Sequence, residues 1–307
     1  MKSAELNLPS VLTAKQEALV LLIERTWTTN ADADYLAFSS TLLPSDQPAY
    51  GVRMPVLRNV AKAMLKGKDA RLVMEALLIL HKMDPRRIQN LEWTHLGSIL
   101  LGRAKEAEMP CRALWWRAWL DRMDGWGPCD LMGGESHFMR EAPTVWLPIL
   151  RELIDALRAD DVSSLWRARV ALVALQAHFK SPDWIDEALK ALQSPAITRS
   201  LNAFYEQGVL GTPKRKGRKG KEQELDQNQS QSKSQDTTTQ PGYYLSMGVA
   251  WAWVTFLTAD FERTFAVLSH SEGVFDPATQ RRVVRKAHES LALSAEQKAR
   301  LDALLGA

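Results

Sequence analysis

Apolar residues recur at i, i+3, i+4 and i+7 along most of this chain. The stretches "ARLVMEALLILHKM", "TVWLPILRELIDALRA", "SSLWRARVALVALQAHF", "PDWIDEALKALQ" and "QRRVVRKAHESLAL" each gather apolar side chains on one helical face. Strand-like alternation is scarce. Capping residues punctuate the pattern: Asp161 to Ser164 precede the apolar run that begins at Leu165, and Ser294 precedes "AEQKARLDALL". The pattern predicts roughly fourteen helices joined by short turns, an all-α fold built from antiparallel helix pairs.

A longer period is superimposed. Trp126 and Trp166 lie 40 residues apart, each early in a predicted helix pair, close to the ~40–47-residue unit of HEAT-type repeats. Stacked pairs of this kind make a curved solenoid whose concave side is the expected binding surface. The expectation is one HEAT-like domain over residues 1–307, interrupted at about 212–241. That segment, "TPKRKGRKGKEQELDQNQSQSKSQDTTTQP", has almost no apolar residues to offset the cost of ordering its backbone, and is predicted to be a disordered loop.

Charge changes the picture only when divided along the chain. The insertion holds seven Lys/Arg and four Asp/Glu, which accounts for the whole net charge of +3 and leaves 32 of each sign elsewhere. A neutral body has no general attraction for a polyanion, so such attraction needs cations gathered on one face or supplied by the insertion. The basic half of the insertion, which includes Lys214, Arg215 and Lys216, is either a tether that touches phosphates or a solvated loop. No apolar run approaches the ~20 residues of a membrane helix. The opening "MKSAELNLPS" lacks the blocks of a secretory signal, so a cytoplasmic location is expected. Cys111 and Cys129 form no CxxC pair, the six histidines show no metal-binding spacing, and no glycine-rich phosphate loop is present. Neither a metal nor a nucleotide cofactor is expected.

The stretch "DGWGPCDLMGG", residues 124–134, is the awkward one. Gly125 and Gly127 disfavour a helix interior and Pro128 suits a first turn, so a helix is predicted to start near Gly127. Asp130 then falls in the first turn, where the helix dipole and unpaired backbone N–H groups favour an anion. Trp126 would set an indole beside that carboxylate, an arrangement suited to a developing cation. The plainer alternative is a capping Asp130 and a core Trp126, and the residues by themselves leave both open.

Further motifs carry a resemblance. "AYGVRMPVLRNVAK" (residues 49–62), "GWGPCD", "LWRARVALVAL", "YYLSMGVAWAW" and "VVRKAHES" follow one another in an order and spacing that resemble the DNA alkylation repair family. These are the AlkD-like DNA glycosylases, built from HEAT-like helical repeats. The resemblance runs from about residue 15 to 305. It implies a catalytic carboxylate at Asp130, aromatic walls at Trp126 and Trp251, and a DNA-backbone contact at Arg169. It also implies excision of cationic N3- or N7-alkylated purines from double-stranded DNA by a monomer associated with the nucleoid when bound. Arg281, Arg282, Arg285 and Lys286 make a basic helical stripe matching the family's basic helix near the end, for phosphate contact or plain solvation. The chain departs from the family where Gly133 and Gly134 follow Asp130, a pair expected to loosen its helix, and where the basic insertion interrupts the loop before Trp251.

Trp115, Trp116 and Trp119 in "ALWWRAWLDRM" are read as core rather than base-stacking residues, and Cys129 as packing rather than a nucleophile. Two other functions stay open at this point: a non-catalytic DNA-binding HEAT-repeat protein, and a protein-binding helical scaffold.

Overall fold

The computed structural model describes residue 6 and residues 8–40, 48–210, 241–270 and 276–304. Among these the chain forms helices α1 (Ala14–Thr29), α2 (Ala33–Ser40), α3 (Met54–Lys66), α4 (Ala70–Met83), α5 (Leu91–Arg103), α6 (Arg112–Trp119), α7 (Trp126–Glu135) and α8 (Pro143–Asp155). They continue as α9 (Val162–His178), α10 (Ile185–Leu192), α11 (Pro195–Glu206), α12 (Pro241–Ala259), α13 (Phe261–His270), α14 (Pro277–Glu289) and α15 (Ala295–Ala303). The described residues contain no strand, only an isolated bridge between Ala31 and Val52. The fold is all-α, as the periodicity predicts. The insertion and its Lys214, Arg215 and Lys216 lie outside the described residues.

Local chemistry sets the helix boundaries. Asp161 accepts a hydrogen bond from the Ser163 backbone at the start of α9, Asp276 does the same for Thr279 at α14, and Ser294 and Gln297 form a reciprocal capping box on α15. Proline occupies the first turn of α3, α8, α11 and α14, where its missing N–H costs nothing.

The helices pack in series. α3 lies against α5, α5 against α7, α7 against α9, α9 against α12 and α12 against α14, while α4, α8, α13 and α15 pack against α5, α9, α12 and α14 in turn. α12 is apolar on nearly all sides because α9, α10, α11, α13 and α14 surround it. Among the described residues no helix is long and apolar enough to cross a membrane.

Trp115, Trp116 and Trp119 are all buried, as expected of core residues, with Trp116 edge-on to Trp146 at 5.7 Å between ring centroids. The "AYGVRMP" segment joins α3 to α5. Buried Glu92, in the first turn of α5, accepts from the backbone N–H groups of Tyr50, Gly51 and Val52 at 3.0, 2.9 and 3.0 Å. Gly51 has φ +80°, a left-handed conformation that favours glycine. This part of the sequence motif therefore anchors a helix entry.

Candidate active site

The helix α7 begins one residue earlier than predicted, at Trp126 with Gly125 as its N-cap, which moves Asp130 out of the first turn, where it was expected, to the middle of the helix. Its positions Trp126, Gly127, Asp130, Leu131 and Gly134 remain partly open. At 100° per residue these five share one side of the helix, with Gly133 at the edge facing α9 and Glu135 at the edge facing α5.

Gly133 corrects the expectation of a loosened helix. A Cβ there would stand 2.8 Å from the Val170 carbonyl oxygen and 2.8 Å from the Val173 Cβ, so glycine permits the close approach of α7 to α9. At Gly134 an added Cβ would meet nothing within 4 Å. One glycine tightens the packing that holds Asp130, and the other leaves the surface beside it clear.

Asp130 is gripped from α9. Arg169 Nε donates to Asp130 Oδ1 at 2.9 Å and Arg169 Nη2 donates to Oδ2 at 2.9 Å, while Nη1 donates to the Tyr244 carbonyl of α12. The exposures of the two partners differ: the Arg169 side chain is 2% exposed and that of Asp130 22%. Burial pushes the Asp130 carboxyl above its ordinary value of 3.8, and the charge and hydrogen bonds of Arg169 pull it back. Arg169 was expected to contact the DNA backbone. Its donors instead turn inward to a carboxylate and a carbonyl, and only the acid of the pair reaches the open side.

Aromatic rings gather around the pair. Trp126 stacks near-parallel to Tyr244, with centroids 6.5 Å apart and planes 17° apart, and Tyr244 also lies 6.0 Å from Trp166. The Arg169 guanidinium sits 5.8 Å over the Trp251 ring, and Lys286 Nζ sits 5.9 Å over the same ring. The structure thus links Trp126, Asp130, Arg169, Trp251 and Lys286 through successive contacts across α7, α9, α12 and α14.

The basic stripe on α14 divides. Arg281 and Arg285 are exposed, and Lys286 is half-buried with an ion pair to Glu289 at 2.6 Å. Arg282 is turned inward: it donates to Ser246 Oγ at 2.8 Å and to the Leu210 carbonyl, and its guanidinium covers Tyr243 at 5.1 Å. Arg282 is therefore a packing residue, contrary to its assignment as a phosphate contact. Cys129 is buried with its thiol donating to the Trp166 carbonyl at 3.4 Å, and burial holds that thiol well above its ordinary range, unsuited to nucleophilic work.

Two neighbours went unassigned in the sequence. Tyr244 lies seven residues before Trp251, two helical turns along the same face of α12, a spacing that could have revealed it. His95 of α5 has no such signal: its Nε2 lies 3.9 Å from where a Cβ on Gly127 would stand, and burial draws its imidazole down to about 4, so it is neutral near pH 7. Among the described residues no group of three or more His, Cys, Asp and Glu is gathered to hold a metal ion.

Comparison with known sequences bears on this arrangement. The sequence pattern described as "DNA alkylation repair enzyme" matches residues 23–208, well over half of the chain. The chain belongs to the DNA alkylation repair enzyme family. No curated protein and no solved structure matches it. The stretch matched by the family includes Trp126, Asp130 and Arg169 and ends before α12, so Trp251 and the cations of α14 lie beyond it.

Proposed function

We propose that this member of the DNA alkylation repair enzyme family is a DNA glycosylase that hydrolyses the N-glycosidic bond of cationic N3- or N7-alkylated purines in duplex DNA. The observation that carries the proposal is the asymmetric Asp130–Arg169 pair, in which the arginine is buried and the carboxylate alone reaches the open side of α7. A guanidinium does not release its proton near neutral pH, so its bidentate grip keeps Asp130 an anion there despite the opposing effect of burial.

As the bond between C1′ and the base nitrogen breaks, its electron pair leaves with the base and neutralises the charge of the alkylated ring. Positive charge then develops on the deoxyribose. A fixed carboxylate beside C1′ stabilises that charge and orients a water molecule, whose oxygen bonds to C1′ and whose proton passes to Asp130 or solvent. The leaving base is already activated by its charge and needs no strong acid. The two indoles, Trp126 and Trp251, would pack on sugar and backbone without enclosing the base, which would leave room for bulky lesions. The serial helix row supports a curved, solenoid-like DNA-binding face bearing this site, with the exposed Arg281 and Arg285 and the half-buried Lys286 as phosphate contacts beyond Trp251.

The test is incubation of the pure folded protein with methylated and unmethylated duplex DNA, followed by chromatography of released bases. Free 3-methyladenine or 7-methylguanine from the methylated duplex alone is the expected result. DNA binding without release of either base would replace this proposal with a non-catalytic DNA-binding role.

A further inference from the structure

The C-terminal end of α7 carries a second ion-pair cluster with the opposite distribution of burial. Glu135, the last residue of α7, has a side chain only 7% exposed, and it is held by two arginines from neighbouring helices of the row. Arg58 of α3 donates through Nη2 to Glu135 Oε1 at 3.1 Å, and Arg103 at the end of α5 donates through Nε to Oε2 at 2.8 Å. Both arginines are largely open, at 51% and 43% exposed.

We propose that Arg58 and Arg103, held in place by Glu135, form a clamp for a backbone phosphodiester of duplex DNA; the choice of DNA rests on the function proposed above. Two guanidiniums bound to opposite oxygens of one carboxylate are fixed close together. Their two positive charges meet one negative charge, so the cluster keeps one uncompensated positive charge at the surface. Each arginine spends one N–H group on Glu135 in these bonds and has five to offer. Planar forks of this kind match the oxygens of a phosphodiester in pairs, and an arginine fixed beforehand loses little further freedom on binding. Lys62, one turn after Arg58 on α3, is exposed and adds charge to the same side of that helix.

Its position suits a duplex. Glu135 marks the α5 edge of the open side of α7 that carries Asp130, so the clamp lies on the α3/α5 flank of the candidate site. Arg281, Arg285 and Lys286 of α14 lie on the other flank. At about 9 Å between neighbouring helices, the row from α3 to α14 spans about 45 Å, roughly thirteen base pairs of duplex. A duplex laid across the helices would meet cations on both sides of Asp130.

The clamp also bears on α7 itself. A Cβ on Gly102 would stand 2.2 Å from the Glu135 carbonyl oxygen, so the ends of α5 and α7 are in direct backbone contact.

The experiment measures the affinity of an undamaged duplex of about 20 base pairs, long enough to span the row, by fluorescence anisotropy across a potassium chloride series. The proteins are wild type, Arg58→Gln, Arg103→Gln and, as a control on an exposed ion pair of α6, Arg117→Gln. Each clamp variant leaves Glu135 one arginine partner, which preserves folding and removes the one uncompensated charge. The expected result is a slope of log affinity against log salt that is shallower by about one unit in each clamp variant. Affinity near 100 mM salt should fall roughly five- to tenfold, by the same dependence, and Arg117→Gln should match wild type. Unchanged slopes in both clamp variants, or an equal loss in Arg117→Gln, would overturn the clamp while leaving the glycosylase proposal intact. Failure of the wild type itself to bind duplex at low salt would overturn both.

Discussion

The middle and the C-terminal end of α7 solve one electrostatic problem in opposite ways. At Asp130 the arginine is buried and the acid is partly open, so the arginine is scaffolding and the acid is presented to whatever lies above the helix. At Glu135 the acid is buried and two arginines are open, so the acid is scaffolding and the cations are presented. The two carboxylates are five residues apart on one helix, and residue type alone says nothing of which partner does the outward work. Exposure decides it. An anion at the centre flanked by cations is the charge order that a cationic lesion within a polyanionic backbone would complement.

This contrast can be broken from either end. The largest effect is expected from Arg169→Met, which leaves Asp130 partly buried without its partner. Loss of about 2–4 kcal/mol of stability is expected by urea denaturation, toward the lower end of what breaking a buried pair costs because Asp130 is partly exposed. Excision should fall by two or more orders of magnitude at neutral pH, the scale of losing one preorganised electrostatic partner. Its pH dependence should also move upward, because the charge that opposes burial at Asp130 is gone. A stable, fully active Arg169→Met protein would show that the pair does not organise the site.

Next in size is Gly133→Ala, whose added methyl would collide with the Val170 carbonyl oxygen and Val173. A destabilisation of about 1–3 kcal/mol, as for overpacking, should appear in thermal or urea melts together with slower excision.

Acidification separates chemistry from stability. The proposed excision uses ionised Asp130, so its rate should drop as pH falls, with a midpoint above 3.8. His95 and His178 are both drawn by burial from 6.5 to about 4 in the folded protein. Between those values the unfolded chain binds the protons first, so stability should decline as pH falls from about 6.5 to about 4. The raised Asp130 acts in the opposite sense, taking its proton first in the native state and offsetting part of that loss. Melting temperature measured across this range checks the sign; a protein that grows more stable on acidification contradicts it.

The smallest effect is the companion to the second. Gly134→Ala meets open space, so it should stabilise by about 0.5–1 kcal/mol through reduced freedom of the unfolded chain. If both glycines responded alike to alanine, the distinction between a packing glycine and a clearance glycine would fail.

These residues also show what a sequence discloses. Helical period and caps located the elements, as at Asp161 and Ser294, because those signals depend on residues within a few positions of one another. Gly133 reads as a helix-loosening residue until Val170 and Val173 on another helix meet it, a contact no local pattern contains. Arg282 reads as part of a basic stripe until Ser246 and Leu210, 36 and 72 residues away, draw it inward. Arg169 was found by motif, yet its inward bonds to Asp130 and Tyr244 emerge only when α7, α9 and α12 meet. Glu135 carries no signal at all, since its meaning lies in two arginines brought from 77 and 32 residues away.

The most direct measurement is the single-turnover rate of 7-methylguanine release from a methylated duplex by wild type and by Asp130→Asn, a nearly isosteric change that removes the negative charge and replaces one of the two oxygens accepting from Arg169 with an amide nitrogen. The account predicts a loss of about 10²–10³-fold or more, with duplex binding retained. Equal rates in the two proteins would contradict it.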